Sequence, residues 1–304
     1  MVRIPIPRAE EMDPGIWPEH LVTAAVSPLL DQVPQLLYRS AVPSFQVYEY
    51  ISGAVVDTAY PKGTRVPDQV LRDVVRLLRR LAEGPRDALP ELPDSWPPGD
   101  TAAFGRLLQS VTAGVVGRFR ESHARLFSAL GIPPEPLRAV TGQWDTFSRR
   151  PFRLVHSDIH RKNMILREDG RVCFLDWELA LWGDPVYELA VHLHKMGYQP
   201  DEAEVVTHTW ADSMPASLIR GWQVDLKAYL RHERTKSAVV DSVRYAQLFA
   251  QGNRTPEQED TLVTSLTEKL NRAGRIWGWA RPLTAEQVRQ VLTGPANPGD
   301  LSVV

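Results

Sequence analysis

The chain has 304 residues, of which 43% are hydrophobic and 24% charged, and its formal net charge is −2. These values are ordinary for a globular protein of one large or two smaller domains, and such a small charge gives no general attraction to nucleic acid or to a membrane surface. The one cysteine, Cys173, excludes an internal disulfide and a cysteine-rich metal site. Because no apolar run has the length of a signal peptide or of a membrane span, we expect a cytoplasmic protein.

The first fifty residues predict a small part that contains β-strands. A short strand-like run, "VRIPI", opens the chain at residues 2–6. Residues 18–33 repeat apolar side chains at helical spacing, with a proline late in the segment. Residues 35–40 and 45–51 alternate apolar and polar side chains, which is the pattern of two antiparallel strands. Gly53 then follows as a breaker.

The rest of the chain is predicted to be mainly helical. Residues 69–84 form an amphipathic helix pattern that ends at a glycine. Residues 84–100 hold five prolines in seventeen positions, so this segment cannot be a regular element. A loop on the substrate side and a stiff linker remain equally open for it. Helical patterns return at residues 101–130, 185–250 and 256–275, and a single hairpin interrupts them.

That hairpin is predicted by the segment "NMILREDGRVCFLDWE". Asp169 and Gly170 give a tight turn between two apolar arms. Antiparallel pairing then places Asn163 beside Asp176 at the open end, and Asp158 lies five residues earlier on the loop that leads in. Carboxylate and amide oxygens suit a hard cation such as Mg²⁺, which also takes ligands from substrate phosphates. Each residue taken alone would more simply shape a turn or end a strand.

The same segment resembles a known family. "HSDIHRKN", residues 156–163, and "LDWE", residues 175–178, resemble the catalytic loop and metal-binding segment of the protein-kinase-like fold, nearest the aminoglycoside phosphotransferase and choline kinase family. "GDPVYELA", residues 183–190, is similar to the family's following helix start. The resemblance implies an α+β fold of two lobes. It places a reduced β-containing N-lobe with the hinge at 1–53 and a large, mainly helical C-lobe at 54–304.

The resemblance also implies roles in the catalytic loop. Asp158, on an exposed loop, would be the base or orienting carboxylate for the attacking hydroxyl. Asn163 and Asp176 would hold Mg²⁺ between the phosphates of ATP, which agrees with the argument from the hairpin. His160 would contact a phosphate or simply pack the loop. His156 would have a structural role, through hydrogen bonds to the backbone.

A second implied group lies near the N-terminus. Arg3 stands where the family has a lysine that binds the α- and β-phosphates, and Glu19 where a glutamate pairs with that lysine. Glu49 and Tyr50 fall in "FQVYEYISG", which resembles the strand and hinge between the lobes, and would contact the nucleotide. The turn that covers the phosphates would have to precede Met1. We therefore expect either an upstream start or weak nucleotide binding completed by the substrate or a partner protein.

For several other positions, the sequence leaves the role of the side chain open. Ser157 and Glu188 stand where glycine and aspartate are usual, and we expect both changes to be mild. Asp184 would cap a helix or contact substrate. Glu178 would contact metal-bound water or substrate, or form an ion pair. Arg161 would be a solvated charge or, as the minor alternative, would steer phosphate.

The predicted function is a phosphotransferase that depends on ATP, or another nucleoside triphosphate, and Mg²⁺, and that acts on a hydroxyl of an antibiotic, sugar or amino-alcohol. Residues 198–250 hold seven acidic and six basic side chains, so a polycationic aminoglycoside is not favoured over a less charged alcohol. Two alternatives stay open. One is a Ser/Thr phosphotransferase that acts on a peptide in natural-product biosynthesis, and the other is a pseudo-kinase that serves as a binding or scaffold protein. No nucleic-acid or membrane partner is expected.

Overall fold

The computed structural model describes residues 1–4, 14–97 and 99–297. Within these ranges the strands are β1 (Val2–Arg3), β2 (Leu36–Ala41), β3 (Ser44–Tyr48), β4 (Gly53–Val55), β5 (Arg153–Val155), β6 (Met164–Arg167), β7 (Val172–Phe174) and β8 (Leu181–Gly183). The helices are α1 (Glu19–Val26), α2 (Val56–Ala59), α3 (Asp68–Glu83), α4 (Thr101–Arg120), α5 (Ala124–Ala129), α6 (Pro185–Met196), α7 (Pro200–Ser213), α8 (Trp222–Ala250), α9 (Pro256–Trp277) and α10 (Ala285–Thr293).

The strands form three small antiparallel sheets, in the orders β1-β3-β2, β4-β6-β7 and β5-β8. The predicted strand pair after α1 is β2 and β3, and the predicted hairpin is β6 and β7, with Met164 opposite Phe174. Of the run "VRIPI", only Val2 and Arg3 form a strand, β1; Ile4 is not in a strand, and Pro5 and Ile6 lie outside the described residues. The prediction that a single hairpin interrupts the helical region is wrong, because β4 also pairs with β6 and a separate β5–β8 ladder is present.

Gly53 opens β4 and was wrongly expected to be a breaker. Its φ of 147° lies in a region that side chains avoid, and a Cβ there would meet the carbonyl oxygen of Leu166 at 2.3 Å. Only glycine therefore allows the backbone of β4 to approach the hairpin this closely. The sequence marks such a position as a glycine but does not distinguish a break from a close approach.

The proline-rich segment after α3 is anchored rather than free. It has no strand or α-helix in its described part, as predicted, and contains only a 3-10 turn at Arg86–Ala88. The Arg86 guanidinium lies 5.8 Å from the ring centre of Trp17 and 5.7 Å from that of Trp182. The Trp96 indole N–H donates to the Trp182 carbonyl at 2.7 Å. These contacts fix the segment to the body of the protein.

The chain divides into two compact units. The first holds the described residues of Met1–Gly105 and Thr146–Tyr229, and the second holds Arg106–Asp145 and the described residues from Leu230 on. All three sheets belong to the first unit, whereas the second is helical. The predicted division at residue 53 concerns the two lobes and stays a prediction. None of the described helices is long and apolar enough to cross a lipid bilayer.

Helix α3 provides the support for the hairpin in the first unit. Its apolar face, which includes Val74 and Leu77, is fully buried, and burial of each such side chain contributes about 1.5–3 kcal/mol. Asp73, on the same helix, is also fully buried and accepts a hydrogen bond from the Val172 N–H at 2.9 Å. The Phe174 N–H donates to the Gln32 carbonyl at 2.8 Å. Strand β7 is thus held from two sides, which makes the hairpin a rigid platform for the residues at its open end.

Candidate active site

The open end of the hairpin brings the catalytic-loop segment to the start of "DWE". The Leu175 N–H donates to the Asn163 carbonyl at 2.8 Å, so Asn163 and Asp176 flank the same end, as the turn geometry predicts. The His156 ring Nε2 lies 3.0 Å from the Leu175 carbonyl oxygen and donates to it, in agreement with the structural role expected for this histidine. Asp176 has a positive φ of 64°, which a non-glycine residue adopts at a cost of about 1–2 kcal/mol.

Glu188, near the start of α6, fixes the first two residues of the loop. One of its carboxylate oxygens accepts from the His156 N–H and from the Ser157 N–H, the latter at 2.9 Å. Ser157 has a φ of 63°, so the replacement of glycine there is less mild than expected. Burial raises the pKa of the Glu188 carboxyl to about 7. Its other oxygen, the Ser157 hydroxyl and the His156 Nδ1 are buried without a hydrogen-bond partner.

Asp158 lies at the centre of a set of donors and is not the exposed loop carboxylate that the sequence indicated. Its side chain is 14% exposed, and its Oδ1 accepts from the Lys195 ammonium at 2.5 Å. The His160 Nε2 lies 3.5 Å from the same oxygen, and the Asn163 Nδ2 donates to Oδ2 at 2.8 Å. Burial alone would raise the pKa of Asp158, but the donors from His160 and Lys195 outweigh it and hold the pKa well below its usual range.

The predicted residues of the N-terminal group also meet this end of the hairpin. The Arg3 guanidinium donates to Glu19 at 2.6 Å, to Asp176 at 2.8 Å and to Glu178 at 2.5 Å. Glu19 accepts in addition from the Trp177 N–H at 3.2 Å. Burial raises the pKa of Glu19 to about 7, although the Arg3 charge opposes this shift. Strand β1, helix α1 and the hairpin end are therefore joined by one arginine, and Glu178 forms the ion pair that was one of its two expected roles.

Glu49 and Tyr50 are not drawn into this cluster. Both follow β3 and are exposed, Tyr50 to 79%. Glu49 accepts from the Gln35 N–H at 3.3 Å. Within the described residues, neither side chain bonds to the other predicted site residues. Their predicted contact with a nucleotide stays a prediction.

Arg161 is a structural residue, and its expected role as a solvated charge is wrong. Its side chain is buried and donates to the carbonyls of Met196 at 2.8 Å, Tyr60 at 2.6 Å and Thr64 at 2.8 Å. The first of these lies at the C-terminus of α6, where a cation is favoured by the helix dipole. Arg161 thus ties the catalytic loop to α6 and to the segment after α2.

Asp184 caps α6, which was one of its two expected roles. Its Oδ1 accepts from the Val186 N–H at 3.0 Å, and Pro185 occupies the first helical position. Arg150 donates to the same carboxylate, with Nε and Oδ1 3.0 Å apart. Asp184 has no exposed surface, so the substrate contact that was its other expected role is wrong.

Lys195 is the site residue that the sequence reasoning missed. It lies in the last turn of α6, seven positions after Glu188. Seven residues are close to two helical turns, so the two side chains share a face of α6 that looks toward the catalytic loop. This periodicity was readable in the sequence once the loop and the helix start had been placed together.

The donor chemistry of the site fits a Mg²⁺ ion. The Asn163 amide nitrogen is committed to Asp158, so its Oδ1 is the atom left for a metal. Asp176 is 30% exposed at the hairpin end and offers carboxylate oxygens. In the part of the chain that the structure describes, no three His, Cys, Asp or Glu side chains are grouped to hold a metal. An ion with one or two protein ligands, completed by phosphates and water, is what Mg²⁺ accepts.

A family model described as "Phosphotransferase enzyme family" (APH) matches residues 2–223. The chain belongs to this family. The match confirms the predicted class of enzyme, a phosphotransferase that acts on a hydroxyl acceptor, and supports the predicted use of ATP with Mg²⁺. No curated protein matches the sequence.

Solved structures of the same phosphotransferase class are similar in fold. A choline/ethanolamine kinase family protein from Mesorhizobium loti is 14% identical, has a TM-score of 0.52, and the alignment covers 96% of this chain and 86% of that one. A thermostable mutant of aminoglycoside phosphotransferase APH(4)-Ia is 14% identical with a TM-score of 0.50, and the coverage is 85% and 81%. These likenesses confirm the predicted α+β, protein-kinase-like fold and agree with a reduced N-lobe.

Proposed function

We propose that this phosphotransferase moves the γ-phosphoryl group of ATP to a hydroxyl of a small molecule. The observation that carries the proposal is the meeting of two sets of residues at one hairpin end. Arg3, Glu19 and Asp176 form one set, and Asp158 and Asn163 form the other. The first supplies a cation and a metal-binding carboxylate for phosphates, and the second supplies a carboxylate for the attacking hydroxyl.

The transfer makes one bond and breaks one bond. The acceptor oxygen bonds to the γ-phosphorus while the bond from that phosphorus to the β–γ bridging oxygen breaks, and ADP leaves. The hydroxyl proton passes to the Asp158 carboxylate. Because the pKa of Asp158 is held low, this carboxylate is a weak base, and its main task is to orient the hydroxyl until the proton becomes acidic late in the transfer.

The neighbouring side chains position the reacting groups. Asn163 and Asp176 would hold Mg²⁺, which when bound neutralises phosphate charge. Arg3 would contact the α- and β-phosphates, because a guanidinium binds phosphate oxygens in pairs. His160 lies beside Asp158, with Nε2 3.5 Å from Oδ1, and would contact the transferred phosphoryl group. Glu49 and Tyr50, which follow β3, would contact the base or ribose.

A small-molecule acceptor is supported by the similar structures. One is described as a choline/ethanolamine kinase family protein, and the other as a complex with AMP-PNP and hygromycin B. A peptide acceptor and an inactive scaffold are the alternatives, and we keep them as outcomes of the test.

We also propose that the protein is cytoplasmic. Its one cysteine, Cys173, is free and buried, and a free thiol and an ATP-dependent reaction both suit the cytoplasm.

The test is Mg²⁺-dependent formation of ADP from ATP with a panel of acceptors. The panel contains antibiotics, sugars, amino-alcohols and Ser/Thr peptides, and transfer is verified by the mass of the phosphorylated product. Acceptor-dependent ADP formation that Asp158→Asn removes supports the proposal. Phosphorylation of peptides alone would replace the small-molecule assignment. Nucleotide binding without any transfer would favour the scaffold.

A further inference from the structure

The acceptor side of the catalytic loop carries a lysine in direct contact with the carboxylate that receives the hydroxyl. The Lys195 Nζ lies 2.5 Å from Asp158 Oδ1 and 3.5 Å from the Ser157 carbonyl oxygen. The two side chains are 26% and 14% exposed, so solvent reaches the pair. An acceptor whose hydroxyl lies against Asp158 must therefore also lie close to a fixed positive charge.

Among the described residues, Asp158 is the one carboxylate that forms an ion pair with Lys195. In the part of the chain that the structure describes, every side chain that bonds to the Asp158 carboxylate is a donor, and His160 and Asn163 are the other two. The three carboxylates at the hairpin end, Glu19, Asp176 and Glu178, contact Arg3 rather than Lys195. Glu188 is buried and accepts backbone N–H groups. The Lys195 charge thus opposes the attraction that Asp158 alone would exert on a cation.

We propose that Lys195 determines acceptor specificity, and that the enzyme phosphorylates a hydroxyl compound bearing an anionic group, a carboxylate or a phosphate, next to the reacting hydroxyl. The inference rests on the proposed function, because Asp158 marks the place of the hydroxyl. An ammonium has three donors, and the bonds to Asp158 and to the Ser157 carbonyl use two, so one remains for the anion of the acceptor. A cationic acceptor meets a like charge within a few ångströms in a partly buried site, where repulsion is weakly screened.

The composition of the helical region is consistent with this reading. Residues 198–250 hold seven acidic and six basic side chains, and therefore lack the acidic surplus that would attract a polycation.

A purely positioning role for Lys195 is the competing explanation, since the same ion pair also orients Asp158. The two explanations differ in one measurable respect. Loss of positioning lowers transfer to every acceptor alike, whereas loss of specificity changes the ratio between acceptors of opposite charge.

The experiment uses matched acceptors on the full chain. Glucuronate, glucose 6-phosphate, glucose and glucosamine share one ring and carry a carboxylate, a phosphate, no charge and an ammonium. Glycerate, glycerol 3-phosphate, glycerol and ethanolamine form a second series. ADP formation with Mg²⁺ and ATP gives kcat/KM for each compound, and thermal unfolding of the protein with Mg²⁺ and ADP reports binding independently of turnover. The two anionic arms show whether the carboxylate or the phosphate is preferred.

Wild-type protein is expected to favour the anionic members over the cationic ones by about a hundredfold in kcat/KM. A difference of this size is typical of exchanging a close attractive charge contact for a repulsive one. Lys195→Arg should keep this preference, Lys195→Gln should bring the ratio near one, and Lys195→Glu should reverse it. Lys227→Glu, at an exposed position of α8, is the matched control and should leave the ratio unchanged. Far-ultraviolet circular dichroism verifies that each variant is folded, and Lys195→Gln carries the test if Lys195→Glu is not.

Three results would overturn the inference. These are an equal fractional loss for all acceptors in Lys195→Gln, a wild-type preference for cationic members, and a lack of response to every anionic member by a protein that binds Mg²⁺ and ATP. Failure of the wild type to bind Mg²⁺ and ATP is a different result. It overturns the proposed function itself, and the specificity inference with it.

Discussion

The Arg3 guanidinium donates to the Asp176 carboxylate at 2.8 Å, across 173 positions of the chain. The same guanidinium nitrogen reaches Glu19 at 2.6 Å, so an N-terminal strand, a helix and the hairpin end share one cation. An arginine can do this because its donors are spread over a planar fork, whereas a lysine offers one compact charge. The contact places a positive charge beside the carboxylate assigned to Mg²⁺, where phosphates would lie.

Replacing Arg3 tests whether this cation serves the nucleotide. Arg3→Met should weaken Mg²⁺-dependent binding of AMP-PNP by about tenfold or more, because charge-assisted hydrogen bonds to phosphate are lost. Stability should change by no more than about 1 kcal/mol, since the side chain is partly exposed. Calorimetric titration and thermal unfolding measure the two quantities. Arg39→Met, an exposed arginine on β2, is the control, and equal affinities in both variants would show that Arg3 has no role in binding.

Asp158→Asn tests the assigned centre of the reaction. The substitution keeps the shape of the side chain and removes its charge, so kcat should fall by about 10²- to 10⁴-fold while nucleotide affinity stays the same. Because Lys195 loses its partner, a modest decrease in stability is expected rather than none. Steady-state ADP formation and urea unfolding provide the data. Asp169→Asn, in the hairpin turn, should behave like the wild type, and a kcat for Asp158→Asn near that of the wild type would remove Asp158 from the mechanism.

Asp176→Ala and Asn163→Ala test the metal assignment. Each should raise the Mg²⁺ concentration needed for half-maximal nucleotide binding, by about tenfold or more for the carboxylate and less for the neutral amide. Titration of Mg²⁺ at fixed AMP-PNP reports this concentration directly. Asp31→Ala removes an exposed carboxylate that pairs with Arg171 and should leave it unchanged. A Mg²⁺ requirement that neither substitution alters would place the metal elsewhere.

The sequence predicted the parts of the site that local chemistry specifies. The Asp-Gly turn and the apolar arms fix the register of the hairpin, and the register alone brings Asn163 beside the start of "DWE". Arg161 could not be placed in the same way, because its partners are backbone carbonyls, which every residue possesses. Gly53 was misread for a related reason. Its role depends on the distance to Leu166 in another strand, and no local pattern encodes that distance.

Glu188 combines a support role with an unusual charge state. Its carboxylate holds the turn of the catalytic loop, yet burial raises its pKa from the ordinary 4.5 to about 7. Below pH 4.5 the group is protonated in both the folded and the unfolded chain. Between pH 4.5 and 7 the folded protein keeps a proton that the unfolded chain has released. The stability present at low pH is therefore lost as the pH rises through this window.

The pH dependence of stability should consequently change in Glu188→Gln. Glutamine keeps an oxygen for the N–H groups of His156 and Ser157 but cannot ionise, so the variant should lose less stability than the wild type between pH 5 and 7.5. The difference over this pH range is on the order of 2 kcal/mol for a shift of this size. Glu19 has a similarly raised pKa and is still present in this variant, so the slope of stability against pH should decrease without vanishing.

Urea unfolding at several pH values measures this slope, and Glu204→Gln, at an exposed position of α7, is the matched control. Parallel curves for Glu188→Gln and the wild type would mean that Glu188 is ionised throughout this range, and that the backbone N–H groups of the loop outweigh its burial.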